Sequence, residues 1–209
     1  MKNILKVRML GGFTLEYKGK ELVLDRNNVS KTTQLFQLLL LHTQDGGISK
    51  AALIDALYGR SDVENKNGSL NNTIFRLRKQ LTAAGLPESN YININGGMCT
   101  WDPEIETSVD VCDFKQTIES ARHEKSQKTK MEIYAKAWKL YTGEFLPDMM
   151  GEDWAAVENI ACRDMYFECV EELCHYLKTE EKFEELHSVA HSAAEIYPFY
   201  DWQIWEIDS

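Results

Sequence analysis

The chain has 209 residues, 44% of them hydrophobic, and a formal net charge of −10. That length suits one large domain or two small ones, and that charge sets the chain as a whole against nucleic acid. The balance is uneven, however: residues 1–101 carry 13 Lys plus Arg against 8 Asp plus Glu, and residues 102–209 carry 10 against 25. Two modules with different partners are therefore expected, with any phosphate contact confined to the first. Five cysteines without a C-x-x-C pair point to free thiols in a reducing cytoplasm. No apolar run approaches membrane length, and Lys6, Arg8 and Gly11-Gly12 interrupt any secretory leader.

Leu5–Met9 and Phe13–Tyr17 alternate apolar and polar residues, and Glu21–Leu24 returns after Lys18-Gly19-Lys20, so three short strands open the chain. Ser30 starts a helix to about His42 whose leucines face nearly every direction, which marks it as central and buried. Ser49 caps a second helix, with Ile48 placed to staple onto Leu53, and this helix stops near Gly59. A polar loop over residues 60–67 leads to a third helix, Ser69–Leu81. Leu70, Ile74, Leu77 and Leu81 form its apolar stripe. Ser69, Asn72, Arg76 and Lys79 lie opposite, with Arg78 on one flank and Phe75 near the other. Arg and Asn are the side chains that contact base edges bidentately in a major groove. Tyr91–Ile94 and Met98–Trp101 then form a hairpin around Asn95-Gly96-Gly97.

Strands, three helices and a hairpin in that order make a winged helix-turn-helix, with the third helix as reader. The run T-I-F-R-L-R-K-Q-L at residues 73–81 resembles the end of the recognition helix in the response-regulator winged-helix family. The three leading strands resemble that family too. The L-G-G-F of residues 10–13, the leucine-rich first helix and the A-L-Y-G of residues 56–59 are closer still to its antibiotic-regulatory-protein branch. In that branch the winged helix precedes a bacterial transcriptional activator domain of helical repeats.

The second half carries its own signals. Helices are expected at residues 110–121, 128–141, 153–177 and 180–197. Trp138, Gly143, Leu146 and Pro147 resemble the W-x-x-x-x-G-x-x-L-P segment of the activator domain. Leu173, Leu177, Phe183, Leu186, Ala190, Ala193 and Ala194 meet the packing positions of one tetratricopeptide repeat. Residues 199–209 read as the start of a further helix that is cut short. The fold class expected is therefore an α+β winged helix-turn-helix domain over residues 1–105, followed by an all-α tetratricopeptide-like domain over residues 106–209. The two are expected to meet near Trp101–Asp110, where Asp102-Pro103-Glu104 breaks the wing strand.

The resemblance implies a DNA-binding transcription regulator, an activator at promoter repeats that touches RNA polymerase. Its partners would be double-stranded DNA, polymerase and a second copy as homodimer, with no membrane and no cofactor. The residues assigned to DNA are Ser69, Asn72, Thr73, Arg76, Arg78, Lys79 and Asn95. Two departures from the family stand out. The hairpin has no cation between Tyr91 and Trp101, and Phe75 stands where a polar residue is common. Phe75 suits either a thymine methyl or a neighbouring subunit. The rival reading is a protein-interaction scaffold whose winged helix no longer binds DNA. Glu184, His187 and His191 share one helical face at metal-ligand spacing, but these are solvent positions on the repeat template and no metal is expected. No phosphate loop, nucleophile elbow or paired-carboxylate motif occurs, so no enzyme is expected.

Overall fold

The computed structural model describes residues 3–25 and 29–200. Strands β1 (Leu5–Arg8), β2 (Thr14–Tyr17) and β3 (Lys20–Leu22) form an antiparallel ribbon. Helix α1 (Lys31–Leu41) follows, with the Ser30 hydroxyl capping the Thr33 amide. Ten of its eleven residues are buried, as its all-round leucines require. A two-residue strand β4 (Ile48–Ser49) runs directly into α2 (Lys50–Tyr58), and the Ser49 side chain caps the Ala52 amide.

Helix α3 spans Lys66–Ala83. It starts three residues earlier than the sequence pattern suggested, because Asn65, within the expected loop, supplies the cap to Gly68 N at 2.9 Å. Strands β5 (Ile92–Asn95) and β6 (Met98–Trp101) make the hairpin, and β4 adds to β6 as a third strand. Gly47 permits this pairing: a Cβ there would lie 2.5 Å from Cys99 O.

The chain then returns to the first sheet. Strand β7 (Thr107–Val109) pairs parallel with β1, giving the order β3-β2-β1-β7. The sequence pattern did not show β7, since three residues are too few to display a period. Four helices complete the described residues: α4 (Asp110–His123), α5 (Gln127–Leu140), α6 (Asp153–Thr179) and α7 (Phe183–Ile196), with a 3-10 turn at Pro147–Met149. Helix α7 begins at Phe183 rather than near 180, and Phe199 and Tyr200 are not helical. The rest of the expected final helix, residues 201–209, lies outside the described residues. All five cysteines are buried and free.

One apolar core runs through the molecule, from Leu5 and Val7 through Leu35, Leu77, Val109 and Phe114 to Ala193. The first strand and the later helices interlock. Asp110, opening α4, accepts from Met9 N at 2.7 Å and Leu10 N at 3.1 Å. Gly11 N donates to Glu144 O, Leu146 N donates to Met9 O, and Thr142 Oγ1 donates to Leu10 O. A Cβ on Gly143 would stand 2.7 Å from Gly11 Cα, so the two backbones approach as closely as glycine allows. Lys31 and Gln34 of α1 both reach Glu152, and Arg60 pairs with Asp153.

Candidate nucleic-acid interface

The site is built on α3. Its inner face buries Leu70, Thr73, Ile74, Leu77 and Leu81. Tyr58 fixes its angle to α2: the Tyr58 hydroxyl lies 2.6 Å from Thr73 Oγ1 in a buried contact and donates to Ser69 O at 3.4 Å. Thr73 is thus turned inward and does not stand with the other assigned residues. Ser69 is half-buried at the start of the exposed face.

Asn72, Arg76 and Lys79 are exposed together on the outer face of α3, as the helical period requires. Phe75 is exposed beside them, and Lys79 Nζ stands 4.5 Å from its ring centroid. Asn71 is also exposed, and Lys50 Nζ at the start of α2 reaches its Oδ1 at 3.4 Å. Sequence reasoning passed over Lys50 and Asn71. A lone Lys after a cap carries no signal until the turn brings it to the reader helix.

Arg78 departs from its expected place. Its Nε donates to Asn90 O and its Nη2 to Ile92 O, both at 2.9 Å. The guanidinium straps α3 to the base of the hairpin instead of facing outward. Thr82 Oγ1, 3.1 Å from the Tyr91 hydroxyl, adds a second tie. Asn95 is exposed at the tip of β5, on the hairpin rather than on α3. Ile94 and Met98 are exposed there too, so the wing meets solvent with amide and apolar groups.

Elsewhere several cations are held in ion pairs, among them Lys6 with Glu16, Lys115 with Glu158 and Arg122 with Glu168. The open cleft of about 710 Å³ between α2 and the start of α6 holds Lys31, Arg60, Glu152 and Asp153, already joined as ion pairs. Burial pushes the thiol of Cys112 up to about 12, which keeps it protonated and unreactive. Glu184, His187 and His191 are exposed; the two imidazoles stack at 5.9 Å, and His191 Nε2 lies 3.6 Å from Glu195. Among the described residues no group of three or more His, Cys, Asp and Glu side chains is arranged for a metal ion, and no helix is long and apolar enough to cross a membrane.

The described residues combine two small sheets and helices α1 to α3 with a run of four later helices, α4 to α7. Among solved structures, the chain is similar to EmbR of Mycobacterium tuberculosis, determined in complex with a low-affinity phosphopeptide, with a TM-score of 0.70 and 12% sequence identity. The match covers 96% of this chain and 52% of that one, so the chain spans about half the length of that structure. At this identity the likeness is one of fold. No family model matches the chain, and no curated protein matches it.

Proposed function

We propose that the chain is a sequence-specific DNA-binding transcription regulator in which α3 reads the major groove. The observation that carries this reading is the outer face of α3. Asn72, Arg76 and Lys79 are exposed side by side on a helix whose opposite stripe is fully locked into the core. Arg and Asn are side-chain types that contact base edges bidentately and Lys is one that meets phosphate, which suits Arg76, Asn72 and Lys79 to those roles in this reading. Residues 1–105 form the DNA-binding module in this reading. Residues 106–209 are a tetratricopeptide-like module that binds protein, because their strong excess of acid repels a duplex. By the family resemblance, the protein acts as an activator in the cytoplasm, binds promoter repeats as a homodimer and touches RNA polymerase.

The hairpin supplies no cation, so affinity rests on α3 and on the pairing of subunits. The same observation, with the net charge of −10, favours the second reading: a scaffold whose winged helix has left DNA behind. Selection of bound duplexes from a random pool by the full chain separates the two. The regulator reading expects an enriched motif, lost on Arg76→Ala. No enrichment, with no binding to random duplex at low salt, establishes the scaffold reading instead.

A further inference from the structure

Phe75 is 57% exposed, yet it sits on the face of α3 that carries Asn72, Arg76 and Lys79. The apolar residues that flank it along the helix, Leu70, Ile74, Leu77 and Leu81, are all buried. Phe75 is therefore the apolar group that α3 offers outward through these turns. It does not float free there. Lys79, one turn on, places its ammonium 4.5 Å from the ring centroid and holds one face of the ring. Placing the ring costs little further side-chain freedom, since a phenylalanine has only two side-chain torsions and one neighbour already restrains it.

A major groove presents donors, acceptors and a single apolar group, the C5 methyl of thymine. We propose that Phe75 is a specificity-determining residue that packs on a thymine methyl, beside the base pair met by Asn72 or Arg76. This rests on the DNA reading above. It also answers the cation-free hairpin, because sequence preference drawn from an apolar contact adds nothing to the non-specific attraction that the acidic half opposes.

Deoxyuridine differs from thymidine only in lacking that methyl, which makes the test direct. Starting from the duplex selected by the full chain, each thymine is replaced in turn by uracil. Affinities are measured for the wild type, Phe75→Leu and Phe75→Ala at one salt concentration. The wild type is expected to bind thymine about 3- to 10-fold more tightly than uracil at one position of each half-site, as burial of one methyl implies. The ratio falls to about 1 in Phe75→Ala and lies between in Phe75→Leu, in line with the contact removed. Because Phe75 is exposed, both variants keep the wild-type circular dichroism and urea midpoint.

A wild type indifferent to uracil at every position overturns the proposal and leaves the DNA reading standing. So does a Phe75→Ala variant that keeps the wild-type ratio. If Phe75→Ala instead dissociates a dimer in sedimentation while the ratio stays fixed, Phe75 is a subunit contact and the proposal is likewise overturned. Failure to select any duplex removes the DNA reading itself, and this inference with it.

Discussion

Replacing Arg78 by Ala separates a strut from a reader. The side chain donates two hydrogen bonds from a charged group to backbone carbonyls, at 2.9 Å each, one of them to the exposed end of the loop before β5. Charge-assisted bonds are worth about 1.5–3 kcal/mol when buried and less when wet. Asn90 is exposed while Ile92 is buried, so the pair together is worth about 2 kcal/mol. For a chain of this length that lowers the melting temperature by roughly 4–8 °C. Arg78→Lys, with one donor head in place of a fork, recovers less than half of the loss. The assay is urea unfolding of the full chain and both variants, alongside DNA affinity for selected and random duplexes. The strut expects a stability loss with affinity reduced in similar proportion on both duplexes, because the hairpin shifts against α3. An unchanged urea midpoint with affinity lost only on the selected duplex refutes this reasoning and makes Arg78 a base contact.

Arg76→Ala is expected to weaken the selected duplex by about 1–3 kcal/mol and random duplex far less, while Lys79→Ala weakens both alike and lowers the salt slope by about 1; filter binding across a salt series reads both. Gln37→Leu is expected to raise stability by roughly 1–2 kcal/mol in a urea titration, because Gln37 is wholly buried and neither end of its amide meets a partner among the described residues. A loss of stability on that change would place an unrecognised polar contact at Gln37. Burial raises the Asp110 carboxyl to about 6, against the pull of the Met9, Leu10 and Val111 amides and of nearby Arg8. Its folded value exceeds its unfolded value, so the folded state holds the proton more tightly and this group's contribution falls as pH rises from about 4 to about 6. Subtracting the curve of Asp110→Asn from that of the wild type should expose a decline on the order of 3 kcal/mol across that window, and a flat difference contradicts it.

The parts of the fold that periodicity governs were legible in the residues. The stripe of Leu70, Ile74, Leu77 and Leu81 placed α3, and the serines at 30 and 49 marked the starts of α1 and α2. Alternation found β1 and β2, and two short runs around the Gly96-Gly97 turn marked the hairpin. What stayed hidden were contacts between distant segments. Strand β7 has three residues and no period to read, and its place beside β1 depends on a partner about a hundred residues away. The same limit governs the site. A helical wheel puts Arg78 on a flank, where solvent and the hairpin are equally available, and only the position of Asn90 and Ile92 decides between them. Thr73 was lost to the interior because Tyr58, from another helix, offered its hydroxyl. Asn72, Arg76 and Lys79 needed no such information, since the middle of a polar face points outward whatever packs behind it.

The pairing of β7 with β1 orders events during synthesis. Strand β1 can take β2 beside it, and β2 can take β3, as soon as about 22 residues have left the ribosome, since those pairs are local. Its other edge then remains open until Thr107–Val109 emerges, which at 5–20 residues per second is a delay of roughly 4–17 s. For that interval Leu5 and Val7 lie on a sheet with an unsatisfied row of amides and carbonyls, and α1 to α3 and the hairpin assemble over it. Contacts from Asp110 to the Met9 and Leu10 amides close the edge in the same step that begins α4. A nascent chain paused before residue 107 is thus a ribbon with a sticky flank, and the helical half is begun by the residues that seal it.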